Sequence, residues 1–139
     1  MEQLLELHLP NILGAEKEAI KKSVAIAEKL GFAKDRIEDL TTALAEACIN
    51  AIEHGNKFDQ KKKVKVTLAA DDNSLQVIVY DEGDGIDPNK IPKIRVRDDG
   101  LPCRRGYGVF LISNLMNEFH FEKNPGKGNN VKMLMHLSG

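Results

Sequence analysis

The sequence predicts an α+β fold: a two-layer sandwich in which a mixed, mostly antiparallel sheet is covered on one face by about three helices, in the order βααββαββ. Three observations carry this. Two stretches in the first half of the chain repeat apolar residues at helical spacing, and a third does so after residue 106. Four short stretches alternate apolar and polar residues with a period of two and a fifth is almost continuously apolar, and most of them adjoin across a tight turn. Strands joined by tight turns pair antiparallel, and amphipathic helices bury their apolar stripe against one face of such a sheet. At 139 residues, with 42% hydrophobic and 29% charged, the chain suits one domain, residues 1–139, whose core needs no disulfide or metal.

Each element follows from its own pattern. Leu5, Leu7 and Leu9 alternate with Glu6 and His8, which fits a short half-buried strand ended by Pro10. Ile20, Val24, Ala27 and Leu30 recur at helical spacing, and Gly31 stands where a left-handed cap residue belongs, so a helix runs from about Ala15 to Leu30. Asp35-x-x-Glu38 predicts a reciprocal cap opening a second helix that stops near Gly55-Asn56. At ~100° per residue, Leu40, Leu44, Ala47 and Ala51 share one side of that helix, while Glu46, Asn50 and Glu53 share another. A carboxylate and a carboxamide one turn apart on one face can act on one ligand. His54, near the end of the helix, suits its C-terminal dipole.

From Lys63 the period becomes two. Val64, Val66 and Leu68 alternate with Lys65 and Thr67, Asp71-Asp72-Asn73-Ser74 turns the chain, and Leu75 to Tyr80 is almost continuously apolar, as in a central strand. That strand delivers Asp81-Glu82-Gly83-Asp84-Gly85-Ile86 at its end. Residues 89–105 have no clean period and contain Pro92, Gly100 and Pro102; a connection of that length reads as a lid. Gly106-Tyr107-Gly108 opens a helix with Val109, Ile112, Leu115 and Met116 on its apolar side. Phe119 and Phe121, then Val131, Met133 and Met135, alternate with polar residues across the turn Pro125-Gly126-Lys127-Gly128.

Composition excludes several classes. A formal charge of -1, from 20 basic and 21 acidic residues, provides no footprint for direct nucleic-acid binding or for an anionic membrane, and the Lys61 to Lys63 run reads as a solvated turn. No apolar run approaches the ~20 residues of a membrane span, and the N-terminus lacks the layout of a signal peptide. Cys48 and Cys103 lack Cys-x-x-Cys spacing, and Cys48 and His54 stand about 240° apart around a helix, which argues against shared zinc ligation. Both cysteines fit reduced thiols, so the expectation is a soluble protein of the cytoplasm.

The glycine pairs do not fit the commoner nucleotide loops. Gly83-x-Gly85 lacks a third glycine and meets Pro88 instead of a helix, Gly106-x-Gly108 does not follow a strand, and there is no Walker sequence. The run from Asp81 also puts Gly where a calcium loop needs oxygen ligands. Taken in order, however, Glu-x-x-x-Asn on a helix, Asp-x-Gly-x-Gly after a central strand, a long lid, Gly-x-Gly opening a helix and a closing hairpin resemble the Bergerat ATP-binding fold of gyrase, the Hsp90 chaperone, the histidine kinases and MutL proteins. Within that superfamily the likeness is to the anti-sigma-factor serine/threonine kinases of the stress-response and sporulation type. It covers nearly the whole chain, and Ala45-Glu46-Ala47-x-x-Asn50-Ala51-x-x-His54 is its most telling segment.

The resemblance implies a role for each matching residue. Asp81 accepts a hydrogen bond from the exocyclic amine of adenine, where guanine presents an acceptor, so ATP is selected. Asn50 offers a hard oxygen to Mg²⁺, which bridges phosphates, and Glu46 one turn away takes the proton of an attacking hydroxyl. Gly106 and Gly108 present amides at a helix N-terminus, with Arg104 and Arg105 beside them to offset phosphate charge. His54, Gly83, Gly85, Ile86, Val109 and Asn130 complete the nucleotide pocket. Two departures stand out. Where many relatives carry lid hydroxyls the chain reads Leu101-Pro102-Cys103-Arg104-Arg105, and where a Thr usually joins the adenine network it reads Asn129-Asn130.

The function implied is ATP- and Mg²⁺-dependent phosphorylation of a Ser or Thr on a small anti-sigma-factor antagonist, with binding of a sigma factor and room for a homodimer. The alternative is a module that binds ATP only to sequester a sigma factor or other partner. A histidine kinase working in trans is disfavoured because no dimerising hairpin with a phosphoacceptor His precedes the domain, and a chaperone-type ATPase would need further domains.

Overall fold

A computed structural model of the chain describes residues 1–57, 59, 61–83, 115–123 and 128–137, without the side chains of His54, Phe121 and Lys123. The expected lid over 89–105 and all of the third helix but its end lie outside the described residues.

Strand β1, Glu2–Pro10, ends where Pro10 removes a backbone donor, but at nine residues it is longer than its alternation suggested. A bulge between Gln3 and Leu5 absorbs the break in the pattern and lets Glu2 and Gln3 continue the pairing with β2. Helix α1, Glu16–Leu30, closes on Gly31 at φ 89°, and Phe32 N–H reaches back to Ala27 O at 3.1 Å, the left-handed cap that the glycine foretold. Helix α2, Lys34–Asn50, starts differently from expectation. Its N-cap is Ala33 with no side-chain cap, and Asp35 Oδ1 accepts instead from Arg36 N–H. The extended Ala33 beside buried Phe32 sets the entry of the chain, so Asp35 falls inside the first turn, where a carboxylate still favours the dipole.

The end of the helical stretch also differs. After Asn50 the chain widens into a π turn, Ala51–Gly55, closed by Asn56 N–H on Ala51 O at 2.8 Å. The ~100° stepping therefore holds for Glu46 and Asn50 but not for Glu53 and His54.

Strands β2 (Lys63–Ala70), β3 (Ser74–Asp81), β4 (Glu118–Lys123) and β5 (Asn129–His136) complete a sheet ordered β1-β2-β3-β5-β4, with β3 central as its composition indicated. Every described pairing is antiparallel, where a mixed sheet was expected. The last strand is the reason: β5 inserts between β3 and β4, so the two strands that run the same way never touch. Val64, Val66, Val77, Val79 and Met133 form one apolar face, covered by Leu40, Ala43, Leu44 and Ala47 of α2 and Ala19 and Ala27 of α1.

One side chain fastens the end of the third helix to this frame. Arg36, on the first turn of α2, donates to Asp39 Oδ2 at 2.8 Å, to Leu115 O at 2.9 Å and to Asn117 Oδ1 at 2.9 Å. Asn117 Oδ1 also accepts from His136 N–H of β5, so helix, turn and sheet meet at one guanidinium. No helix among the described residues is long and apolar enough to cross a membrane.

Candidate active site

The site forms where the π turn meets the end of β3. Glycine makes the contact possible: a Cβ on Gly83 would fall on the Gly55 carbonyl, and one on Gly55 would fall on the Asp81 carboxylate. The π turn is what carries Gly55 to that point, since it adds a residue to the turn just before the backbone must lie flat against β3. Asp81 ends β3 with its carboxylate over this glycine floor. Its Oδ1 accepts from Gly83 N–H at 2.9 Å and from Asn129 Nδ2 at 3.2 Å, and Asn129 Nδ2 also reaches Gly83 O at 3.2 Å. Among the described residues no donor engages Asp81 Oδ2. Burial raises the Asp81 pKa, and the Gly83 amide, the Asn129 amide and nearby Lys62 pull partly against it.

Of the pair Asn129-Asn130, it is Asn129 that meets Asp81. In the β3–β5 register Asn129 stands opposite Asp81 and Asn130 opposite Tyr80, one pleat over and on the other face of the sheet. Asn129 is 1% exposed, and its Oδ1 is buried without a partner among the described residues. The signal was present in the sequence: Val131, Met133 and Met135 mark the core face, and counting back by two reaches Asn129.

Asn56 is a second residue whose role the sequence reading missed. Buried at the close of the π turn, it accepts from Glu82 N–H at 2.7 Å and donates to Lys63 O at 3.1 Å and Asn11 Oδ1 at 3.4 Å, while Asn11 Nδ2 holds Asp59 O. It ties the π turn to the ends of β2 and β3 and so holds Asp81 in place.

Glu46 and Asn50 lie one turn apart on α2, both half-buried, in the turns leading into the π segment. Their side chains are accessible to a ligand while the opposite side, Leu44, Ala47 and Cys48, is sealed in the core. The backbone of His54 is in the π turn. Gly85, Ile86, Arg104, Arg105, Gly106, Gly108 and Val109 lie outside the described residues. Cys48 is buried, and burial, followed by the nearby charge of Glu16, pushes its thiol up to about 12, which leaves it inert at neutral pH.

The described residues fit an adenine nucleotide. Two glycines keep clear a cradle that any Cβ would fill, one carboxylate oxygen is available to accept from an amine, and a buried amide oxygen beside it lacks a donor. For Mg²⁺ the donor chemistry is lean. No group of three His, Cys, Asp or Glu gathers among the described residues, so a cation here would lean on the Asn50 amide oxygen together with phosphate oxygens.

Comparison with known proteins agrees with this architecture. The histidine kinase-like ATPase domain matches residues 10–135. The chain is 32% identical over 119 residues to Serine-protein kinase RsbW of Bacillus subtilis (strain 168), spanning 82% of this chain and 73% of that protein. It is 29% identical over 133 residues to Serine-protein kinase RsbW of Bacillus cereus (strain AH820), spanning 91% and 82%. Among solved structures, a chain of the SiaB-SiaC complex from Pseudomonas aeruginosa superposes with a TM-score of 0.66 at 13% identity, covering 97% of this chain and 91% of that one. The RsbU and RsbW domains of a Mycobacterium tuberculosis protein superpose with a TM-score of 0.65 at 20% identity, covering 96% and 33%. The chain belongs to the histidine kinase-like ATPase domain family. Within that family it groups with the serine-protein kinases.

Proposed function

We propose that this protein is an ATP- and Mg²⁺-dependent serine/threonine kinase of the partner-switching kind, which phosphorylates a small antagonist protein and holds a sigma factor when that antagonist is not free to bind. The observation that carries the reading is the Asp81 carboxylate on its glycine floor, with one oxygen committed to Gly83 and Asn129 and the other left to accept a base amine. The relatives at about 30% identity support the transfer to serine.

The residues divide the work by position. Asp81 and Asn129 orient the base, and the flat backbone of Gly55 and Gly83 lets it approach. Asn50 holds the cation that offsets the charge of the phosphates. Glu46, one turn earlier, takes the proton of the incoming Ser or Thr hydroxyl as the oxygen bonds to the γ-phosphorus and the bond to the β,γ-bridging oxygen breaks, releasing ADP. Gly106, Gly108, Arg104 and Arg105 are assigned to the phosphates, and His54, Gly85, Ile86 and Val109 to the walls of the pocket.

Glu46→Gln and Asn50→Ala test the assignment together. Glu46 touches the nucleophile and not the nucleotide, so Glu46→Gln retains ATP affinity and loses on the order of 10²- to 10⁴-fold in transfer rate to a co-purified antagonist. Asn50→Ala loses metal-dependent nucleotide affinity and transfer at once. Transfer at the parental rate by Glu46→Gln removes it as the base, and a parent that phosphorylates no co-purifying protein supports the ATP-bound sequestering module instead.

A further inference from the structure

A groove of about 640 Å³ runs between the end of α1 and the start of α2. Phe32, in the turn that joins the two helices, is buried at its floor, and Val24 and Ile37 stand half-buried on its two walls. Three charged side chains, Glu28, Lys34 and Glu38, are exposed along its rim. Among the described residues none of the three is in an ion pair. Two of these charges break the rule that governs helix ends. Glu28 lies in the last turn of α1, where the helix dipole is already negative, and Lys34 is the first residue of α2, where it is already positive. Their neighbours Lys29 and Asp35, which do not line the groove, carry the favourable signs. A local rule broken only by the residues that line a groove marks a surface arranged for something outside the chain.

We propose that this groove docks an amphipathic helix of a partner protein, with large apolar residues against Phe32, Val24 and Ile37, a Lys or Arg toward Glu28 and Glu38, and an Asp or Glu toward Lys34. The charges complement one another, since two carboxylates and one ammonium stand without partners around an apolar floor. The walls decide the form of the occupant. Both are helices whose backbone groups bond within themselves, so an extended peptide finds no edge to pair with, whereas a helix brings its own hydrogen bonds.

The groove also sets the length of the contact. The α2 wall runs from Lys34 to Thr42, about 12 Å at 1.5 Å per residue, which accommodates partner residues i, i+4 and i+7. A contact two turns long stays below the roughly 1,200–2,000 Å² of a stable interface, so the partner binds and leaves readily. The proposal rests on the fold alone and not on the kinase reading, because no residue that lines the groove belongs to the nucleotide site.

The test is a displayed library of helices of ~15 residues, about the shortest that hold together alone, randomised along one face and selected on the full chain. Selected helices should carry large apolar residues at i, i+4 and i+7 with a Lys or Arg beside them. Thr42→Arg sets a cation in the groove at an exposed helical site, so it should melt as the parent does and lower the affinity of those helices by roughly tenfold or more. Replacing the selected basic residue by Glu should weaken binding to the parent about 2- to 5-fold, and the double variant Glu28→Lys with Glu38→Lys should restore it. Without any peptide, Glu28→Lys and Lys34→Glu should each melt about 1–4 °C above the parent, since each then suits its helix end. A library that yields no helix overturns the proposal and leaves the groove to a small apolar ligand. So do helices that bind Thr42→Arg as tightly as the parent, a Glu-substituted helix that the double variant fails to rescue, or charge-reversed variants that melt no higher than the parent.

Discussion

Asp81 holds function and stability in opposition. Burial raises its pKa above the usual 3.8, so between that value and the raised one the folded state binds more protons than the unfolded state. Stability therefore falls as pH rises through this window, and above it the ionised carboxylate is a standing cost. Asp81→Asn removes that cost while keeping an oxygen for Gly83 N–H and Asn129 Nδ2. In thermal melts without nucleotide the variant should be more stable than the parent at neutral pH, and the difference should shrink toward zero as pH drops below 3.8. In calorimetry the same change should weaken ATP binding by roughly 1–3 kcal/mol, the consequence of spoiling a charge-assisted hydrogen bond. A variant less stable than the parent at neutral pH would contradict the burial argument.

The π turn and Asn56 belong to the next scale, where one side chain holds three elements. Asn56 satisfies Glu82 N–H and Lys63 O in a buried setting, so Asn56→Ala leaves both without a partner at roughly 1–3 kcal/mol each. Chemical denaturation should show that loss, and nucleotide affinity should fall with it because the end of β3 is no longer fixed. Arg36→Ala acts at the opposite end of α2. It removes three hydrogen bonds from a half-buried guanidinium, and the expected loss in denaturation is about 1.5–3 kcal/mol. Arg36→Lys should not restore it, since one ammonium cannot reproduce a fork that reaches Asp39, Leu115 and Asn117 together.

For the molecule as a whole, ligand binding is read through global stability. A nucleotide that binds only the folded state stabilises it by about 2.7 kcal/mol at a hundredfold excess over its dissociation constant. ATP with Mg²⁺ should therefore raise the melting temperature by several degrees, and GTP at the same concentration should raise it far less, because Asp81 meets an amine in one base and a carbonyl in the other. Equal shifts with the two nucleotides would remove Asp81 as the residue that reads the base.

Local chemistry made much of this protein legible before any coordinates. The helical spacing of Ile20, Val24, Ala27 and Leu30 ended by Gly31, the alternation in β2 and β5, the apolar run of central β3, and the Glu46 and Asn50 face of α2 all follow from period and backbone preference, which act within a few residues. The order of the Glu-x-x-x-Asn, Asp-x-Gly-x-Gly and Gly-x-Gly motifs was enough to identify the family. What tertiary structure decided lies between segments far apart in the chain. That β5 inserts between β3 and β4, that Gly55 packs on Gly83, and that Asn129 meets Asp81 depend on strand pairing and close backbone approach across as many as 62 residues. The wide π turn was equally invisible, because its sequence reads as ordinary helix. It is held open by Asn56, whose partners on β2 and β3 exist only once the sheet has formed.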